Sequence, residues 1–506
     1  GETVNWGYDN NGNRTSLSSS AGHGVQYRYD GRNRLHKVIT NNGASIYDYY
    51  RDGQLKAIEY ASGASADYTY DGAGRIETVT NTHNGAEVSF YDYGYDANGN
   101  RTSQLERNGF GEETTSYEYD GADRLAKVTY PDGKTEAYTF DGAWNRDTET
   151  ITDGSGAVIS DKDLSYNDRH QLTDIQDSAD ASNNVSYSYD DNGNQIEKVK
   201  GGTTTDFVYD ARNNLRKVTT GGSTVGQFLY DWRGIRTEKV GARGTQQYTH
   251  DQQSVLFQKD DANNLNAKFL YGPNKLLSLE EPNQPSEYYL FDALDSPVTL
   301  LQKDGTITAR YAYDAWGEKR HESGDSFNRF GFTGHEHDEE TGLIYAKARY
   351  YDPDVARFLS EDPAEMQPDM PPSLHQYLYA YQNPTVYVDP DGEFPVLKGM
   401  KERLGELRKK VINTADSLDN NGANNVASGA MGFGAGLLGT MEFATGMANT
   451  AGDLAVDSIA DEDSDSFFVN ESRRSLRETR KKTSQTIEMV AENPKAVGTQ
   501  VLDATT

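Results

Sequence analysis

The chain contains no cysteine, which excludes a disulfide framework, a thiolate nucleophile and a metal site with cysteine ligands. Positive charge is also in short supply: 49 lysines and arginines stand against 79 aspartates and glutamates, a formal net charge of −30. So acidic a chain is unsuited to non-specific binding of a phosphate backbone, and we expect no nucleic acid to bind it. Gly1 stands where an initiator methionine would be and no signal peptide is present, so we expect an excised fragment.

Apolar residues are few as well. The hydrophobic fraction is 35% and the mean hydropathy is −0.83, whereas tyrosine (34) and glycine (49) are abundant. A tyrosine ring can pack on a sheet while its hydroxyl stays hydrated or hydrogen-bonded, so tyrosines can build a sheet with a moderately polar inner face. The composition therefore predicts a shell rather than a solid globule.

A tyrosine-aspartate turn recurs along most of the chain. Clear and degenerate copies follow one another roughly 20 to 26 residues apart, a period typical of repeat proteins. Each copy reads as one β-hairpin, because aromatic residues alternate with period two and Asp-Gly or Asn-Gly supplies the turn. We predict one long antiparallel sheet over residues 1–325. The clear copies lie at Tyr29, Tyr70, Tyr95, Tyr119, Tyr189, Tyr209 and Tyr230.

From Phe327 onward the repeat gives way to an ordered set of short motifs. This set resembles the Rhs (rearrangement hotspot) core domain, which caps the YD-repeat shell of polymorphic bacterial toxins and of the C component of insecticidal toxin complexes. Together with the repeats, the resemblance covers roughly residues 1–394. The motifs are Gly334-His335-Glu336, Ala348-Arg349-Tyr350-Tyr351-Asp352-Pro353, Arg357-Phe358-Leu359-Ser360-Glu361-Asp362-Pro363 and Asn383-Pro384 followed by Asp389-Pro390-Asp391-Gly392.

The resemblance implies a mainly β fold whose hairpin sheet spirals into a hollow cocoon around a C-terminal toxin. It implies that residues 326–394 form a core domain that cleaves the chain just after the last Asp-Pro-x-Gly. The implied partners are the chain's own toxin segment, a secretion apparatus (a type VI spike or a toxin-complex component), an immunity protein and a chaperone. The protein would be made in the bacterial cytoplasm and delivered as an effector in bacterial competition or host intoxication.

Two Asp-Pro pairs, at Asp362 and Asp389, offer carboxylates that a fold can bring together. Like charges at close range split their pKa values, so that one group acts as acid and the other as base. Arg349 precedes Asp362 by thirteen positions, a spacing that resembles the family's self-cleavage site, and a guanidinium can stabilise an oxyanion. We predict these three residues as a single-turnover aspartyl autoprotease.

The predicted cut lies in cis between Gly392 and Pro395, so that the cleavage region is Gly392, Glu393 and Phe394. Two positions depart from the family pattern: Glu365 stands where a small residue is frequent, and Glu393 stands where an apolar residue is frequent. We expect both departures to affect the self-cleavage activity and not the fold.

A metal site is the weaker interpretation of the charged phrase from His335 to Asp338. His335 and His337 are flanked by acidic residues, but a His-x-His without a third, distant ligand is a weak zinc signal. We therefore predict no metal and no cofactor. Asp-Pro and Asn-Pro pairs are also ordinary turn formers, and only the whole constellation favours catalysis.

Residues 395–506 differ from the rest, and we predict a short, mainly α tail. Residues 396–411 read as a basic amphipathic helix and 470–492 as a second helix. The uncharged, glycine-rich run 426–441 is short for a membrane span, and we favour a helical hairpin buried inside the shell over membrane insertion. The tail contains no catalytic motif, so we interpret it as a pre-toxin region that stops before the toxin domain.

Three functions are compatible with these patterns. The first is a toxin-encapsulating shell that cleaves itself. The second is a non-cleaving structural or adhesive YD-repeat protein that binds carbohydrate through exposed tyrosines. The third makes the tail itself a membrane-inserting effector.

Overall fold

The computed structural model describes residues 3–272, 275–364, 366, 371–393 and 395–397. The chain divides into two compact units, of which the first is Gly1–Tyr8 with Asn13–Val396. The second is Asp9–Gly12 with Leu397–Thr506. The helices predicted in the tail, and the alternative of a membrane-inserting segment at 426–441, fall outside the described residues.

The regular structure of the described residues is mainly β-strand, with four short 3₁₀ helices. The strands are β1 (Val4–Tyr8), β2 (Arg14–Ser19), β3 (Gly24–Tyr29), β4 (Leu35–Thr40), β5 (Gly43–Tyr49), β6 (Leu55–Glu59), β7 (Ala64–Tyr70), β8 (Ile76–His83), β9 (Ala86–Tyr95), β10 (Arg101–Arg107), β11 (Glu112–Tyr119), β12 (Leu125–Thr129), β13 (Thr135–Phe140), β14 (Arg146–Thr152), β15 (Val158–Tyr166), β16 (Leu172–Asp177), β17 (Val185–Tyr189), β18 (Gln195–Lys200), β19 (Thr203–Tyr209), β20 (Leu215–Thr220), β21 (Ser223–Tyr230), β22 (Arg236–Gly241), β23 (Gly244–Asp251), β24 (Ser254–Lys259), β25 (Leu265–Tyr271), β26 (Leu276–Glu280), β27 (Glu287–Phe291), β28 (Pro297–Gln302), β29 (Ile307–Tyr313), β30 (Lys319–Gly324), β31 (Glu336–Asp338), β32 (Leu343–Tyr345), β33 (Tyr350–Asp352), β34 (Arg357–Phe358), β35 (Tyr387–Val388) and β36 (Val396–Leu397). The 3₁₀ helices are Ala181–Asn183, Phe332–Gly334, Pro371–Leu374 and Ala380–Gln382.

Strands β1 to β30 form a single sheet in which each strand pairs antiparallel with its neighbour in sequence. The register shifts by a bulge just before the repeat tyrosine, for example between Arg28 and Tyr29 and between Thr69 and Tyr70. A bulge bends the strand and increases its twist, so a bulge in each hairpin adds curvature regularly. The prediction of one long antiparallel hairpin sheet is confirmed. Strands β31 to β34 form a second, four-stranded sheet.

The aspartate of each Tyr-Asp pair organises its own turn. Asp71 Oδ1 accepts the backbone N–H groups of Ala73 and Arg75, both at 2.9 Å, and its Oδ2 accepts Arg75 Nε at 2.7 Å. Gly74, with φ 80°, occupies the left-handed position that closes the turn. The side chain thus satisfies turn N–H groups that have no ladder partner, which is why aspartate recurs here. The same two backbone N–H bonds to Oδ1 form at Asp30, Asp120, Asp210 and Asp231.

The tyrosine of most pairs joins its hairpin to the preceding one. Tyr95 donates its hydroxyl hydrogen to the Ile76 carbonyl at 2.7 Å, and the Arg75 guanidinium lies 4.6 Å from the centre of the Tyr95 ring. A repeat with this bond is hydrogen-bonded to its predecessor through a side chain as well as paired with it, as expected for a linear repeat array. The same hydroxyl–carbonyl bond joins Tyr29 to Arg14, Tyr49 to Leu35, Tyr70 to Leu55, Tyr119 to Arg101, Tyr166 to Arg146, Tyr230 to Leu215 and Tyr313 to Pro297.

The last strands of the sheet fold back against its first strands. Strand β27 is buried at every position, whereas the hairpins of the middle of the sheet alternate between buried and exposed side chains. An ion pair between Arg14 and Asp251 and a 3.1 Å bond from Asn81 to the Phe291 carbonyl link the two layers. Their shared core includes Leu256, Leu270, Leu290, Tyr27, Tyr47 and Tyr68.

The small sheet packs on the aromatic face of the middle of the long sheet. Leu343 and Tyr350 share a core with Phe207 and Phe228, and Arg236 of β22 is fully buried. The Arg236 guanidinium contacts the carboxylates of Glu336 and Asp338, each at 2.5 Å. A buried arginine must be paired to offset the loss of its hydration, so this contact fixes β31 on the long sheet. The predicted boundaries at 325/326 and 394/395 stay predictions.

No helix among the described residues is long and apolar enough to span a bilayer.

We expect Tyr95→Phe to lower the free energy of unfolding by about 1 kcal/mol, since it leaves the Ile76 carbonyl without its hydroxyl donor. Urea unfolding followed by intrinsic fluorescence measures the change. Tyr8→Phe is the matched control, because the Tyr8 side chain is 58% exposed and the same change there should have almost no effect. Equal effects at the two positions would show that the hydroxyl bond does not contribute.

Candidate autoproteolytic site

Arg349 lies at the end of the turn between β32 and β33, where its carbonyl accepts the N–H of Ala346. The residue is 2% exposed, and its guanidinium lies 3.6 Å from the centre of the Phe358 ring. Burial of this cation lowers the pKa of Arg349 from its usual value, against the opposing effect of nearby carboxylates. A buried arginine in such surroundings is held in one orientation.

The structure brings Arg349, Asp362 and Asp389 together. Arg349 Nη2 lies 2.7 Å from Asp362 Oδ2 and 3.4 Å from Asp389 Oδ2. Because both oxygens contact one nitrogen, the two carboxyl groups can be no farther apart than the sum of these distances. The juxtaposition predicted from the Asp-Pro pairs is present, while the catalytic roles stay a prediction.

The two carboxyl groups occupy different environments. Asp389 is fully buried, and burial raises its pKa to about 7 although Arg349 acts in the opposite direction. The Asp362 side chain is 18% exposed, and burial raises its pKa as well, again opposed by Arg349. The site therefore holds a buried carboxyl group with a pKa of about 7 beside a second carboxyl group that water can reach. This is the asymmetry that an acid–base pair requires.

The remaining donors of Arg349 bind main-chain carbonyls. Arg349 Nε donates to the Gly392 carbonyl at 2.5 Å, and Nη1 donates to the Gln376 carbonyl at 3.0 Å. The Gly392 N–H donates to Asp389 Oδ1 at 2.9 Å. The carbonyl of the predicted cleavage region thus lies on the same guanidinium that contacts both carboxyl groups, and Glu393, next in the chain, is exposed.

Only glycine fits at position 392. Its φ of 77° lies in the left-handed region, and a Cβ there would lie 2.3 Å from the Ala346 carbonyl oxygen and 3.1 Å from the Arg349 nitrogen. Both neighbours are backbone atoms that cannot turn aside. The glycine therefore permits the close approach of this segment to the arginine.

Two residues at the site were missed as site residues by the sequence analysis. His335 Nε2 lies 2.7 Å from the Asp389 carbonyl oxygen, and Lys347 Nζ donates to the Pro390 carbonyl at 2.5 Å. His335 belongs to a phrase that we had considered only as a weak metal motif. Nothing in the sequence marks Lys347 as a site residue, because a lysine in a short turn ordinarily faces solvent.

The charged phrase that begins at His335 does not gather its side chains around one point. His337 is half-buried, its desolvation lowers its pKa to about 3, and its Nε2 accepts the Phe332 N–H at 3.0 Å. Glu336 and Asp338 contact Arg236 instead. Within the described ranges no group of three or more histidine or acidic side chains is arranged to hold a metal ion.

Two residues named in the sequence analysis, Glu365 and Phe394, lie outside the described residues.

Known families match the parts of the chain that form these features. The RHS Repeat model matches residues 49–87, 95–135 and 119–158, and the Teneurin YD-shell model matches residues 260–385. Over these residues the chain is similar to YD-repeat shell proteins. More narrowly, it is similar to the Rhs/YD-repeat family that its motifs resemble.

Relatives of this chain include named toxins. The tRNA3(Ser)-specific nuclease WapA of Bacillus spizizenii is 34% identical over 285 residues, which is 54% of this chain and 12% of that protein. Toxin subunit YenC1 of Yersinia entomophaga is 26% identical over 355 residues, which is 65% of this chain and 31% of that protein. The chain therefore corresponds to a minor part of each relative.

A solved structure has the same fold. It is the Photorhabdus luminescens Tc holotoxin pore, which superposes with a TM-score of 0.63 over 78% of this chain and 21% of that one, at 18% identity. At this identity the likeness concerns the fold alone.

The raised pKa of Asp389 predicts a pH-dependent stability. The pKa of Asp389 is near 4 in the unfolded chain and about 7 in the folded chain, so between these pH values the folded state binds more protons. The stabilisation from protonated Asp389 is therefore complete below about pH 4 and is lost as the pH rises through 7. We expect the free energy of unfolding to fall over this interval, by about 1.4 kcal/mol for each unit of pKa shift.

Asp389→Asn should flatten this dependence, as measured by urea unfolding at several pH values in an Asp362→Asn background that keeps the chain intact. Asp261→Asn, at an exposed turn, is the control and should leave the slope unchanged. An unchanged slope in the Asp389 variant would mean that this carboxyl group ionises normally in the folded protein.

Proposed function

We propose that this chain is a toxin-encapsulating shell that cuts its own backbone once, between Gly392 and Glu393, by an aspartyl mechanism. One observation carries the proposal: Arg349 donates to the Gly392 carbonyl while it contacts Asp362 and Asp389. A carbonyl, an oxyanion donor and two unequal carboxyl groups are the groups that peptide hydrolysis needs.

In this mechanism Asp362, which solvent can reach, accepts a proton from a water molecule whose oxygen attacks the Gly392 carbonyl carbon. Arg349 Nε stabilises the negative charge that develops on the carbonyl oxygen. Asp389 donates its proton to the Glu393 nitrogen as the C–N bond breaks. The second proton of the water passes to the new amine, so the products are a Gly392 carboxylate and a Glu393 ammonium group. The carboxyl pair holds as many protons after the step as before it.

The site acts once because its substrate is part of the same chain. The carbonyl oxygens of Asp389, Pro390, Asp391 and Gly392 already contact donors of the core domain. After cleavage the new Gly392 carboxylate remains beside Arg349, where an opposite charge favours it. The product therefore keeps the site occupied.

The names of two relatives support a function for the shell. WapA is named a tRNA nuclease and YenC1 a toxin subunit, and they match 54% and 65% of this chain. We propose that the enclosed cargo is a C-terminal toxin, that delivery involves a toxin-complex component or a type VI spike, and that an immunity protein and a chaperone act in the producing cell. The protein would thus be a secreted or delivered effector in bacterial competition or host intoxication.

The adhesive alternative receives little support from the repeat tyrosines. It requires exposed rings, whereas the first tyrosine of each Tyr-x-Tyr pair is buried, with Tyr27, Tyr68, Tyr117 and Tyr187 all less than 10% exposed. These rings pack in the core clusters of the sheet. The membrane-inserting alternative concerns residues 426–441, outside the described residues.

Cleavage should be lost in Asp362→Asn and in Asp389→Asn, with a rate reduction of roughly 10²- to 10⁴-fold for removal of either acid–base group. Intact mass analysis of the purified chain should find a fragment that ends at Gly392 in the wild type and an uncut chain in both variants. Asp352→Asn is the control: it alters another Asp-Pro pair, which faces Lys198, and should leave cleavage intact. Cleavage in either site variant would exclude the dyad.

A further inference from the structure

Lys347 has an unusual backbone conformation for a lysine. Its φ is 69°, in the left-handed region where glycine and asparagine are favoured and where other side chains are strained. It lies in the turn that the Ala346 N–H closes on the Arg349 carbonyl. Backbone strain kept by a non-glycine residue next to a site points to a role for its side chain.

The turn that contains Lys347 presents three successive donors to three successive carbonyls. Lys347 Nζ donates to Pro390, the Ala348 N–H donates to Asp391 at 3.0 Å, and Arg349 Nε donates to Gly392. Residues 347, 348 and 349 of the turn thus bind, in the same order, the carbonyls of residues 390, 391 and 392. His335 contacts the carbonyl of Asp389, one residue earlier in the segment.

Lys347 binds the carbonyl of Pro390, a residue whose φ angle is already fixed. The proline ring holds φ of residue 390 near −65°. A bond from an ammonium group to the carbonyl of the same residue restricts ψ, so the direction of the following chain is set. That direction determines where the Gly392 carbonyl meets Arg349, and small misplacements at a reacting carbonyl are costly in rate.

We propose that Lys347 is a substrate-positioning residue of the self-cleavage, which holds the segment before the cut by its main-chain carbonyls. The inference rests on the proposed function and adds a specificity rule to it. Gly392 is recognised by its lack of a side chain, and Pro390 and Asp391 are recognised by their carbonyl oxygens.

Lys347→Gly separates a positioning role from a structural one. Glycine is favoured at φ 69°, so the turn should be at least as stable as in the wild type while the ammonium group is lost. A positioning role predicts cleavage about 10- to 100-fold slower, the effect of losing one charge-assisted hydrogen bond. A purely structural role predicts that rate and stability change together.

The full chain should be synthesised in a cell-free system and followed after a chase by intact mass analysis, with urea unfolding of each purified protein. We expect slow cleavage without loss of stability in Lys347→Gly, with additional cuts at neighbouring bonds, and a rate within a few-fold of wild type in Lys347→Arg, which keeps a cationic donor. Asp362→Asn should remain uncut.

The outcomes distinguish the two proposals. An uncut wild type overturns the proposed function and this inference with it. A wild type that is cut, an uncut Asp362→Asn chain and a Lys347→Gly chain cut at the wild-type rate overturn the role of Lys347 alone. A loss of stability that matches the loss of rate, in Lys347→Gly and also in Lys347→Asn, would make the residue structural and equally overturn the inference.

Discussion

The hydroxyl–carbonyl bond between the repeat tyrosine and the preceding hairpin is the interaction on which the rest of the structure depends. Strand pairing alone fixes neighbours in a sheet, but it leaves the twist between successive hairpins adjustable. The tyrosine bond, present at eight repeats between Tyr29 and Tyr313, fixes that relation where it occurs and orients the aromatic rings to one face. That face then provides apolar surface for the last strands and for the small sheet in a chain with few aliphatic residues.

Hydrogen bonds to the long sheet hold the segments of the site in place. The Gln195 N–H donates to the Leu359 carbonyl at 2.9 Å, three residues before Asp362, and Tyr377 donates to the Gly193 carbonyl at 2.8 Å, next to the residue whose carbonyl binds Arg349. Both anchors come from the hairpin of β17 and β18. A site held in this way is complete only when the small sheet is docked, so folding of the shell and assembly of the dyad are linked.

Much of this architecture could be predicted from sequence because it depends on local chemistry. A Tyr-x-Tyr-Asp phrase specifies a strand, a turn and a return strand, and the spacing from Arg349 to Asp362 indicated one site. The folding back of β24 to β28 was missed, although the apolar run in Glu287–Phe291 is a signal of burial on both faces. The contacts of His335 and Lys347 could not be found, because residues 335 and 389 are 54 positions apart and only the packed fold brings them together.

The most direct test of the central claim is the mass of the fragments when the chain is synthesised and cleaves in water enriched in oxygen-18. Hydrolysis by water activated at Asp362 predicts a fragment that ends at Gly392 and carries one oxygen-18 atom in its new carboxylate, together with a fragment that begins at Glu393 and gains no oxygen at its new amino terminus. An intact chain, or fragments that meet at an Asp-Pro bond, would contradict the account.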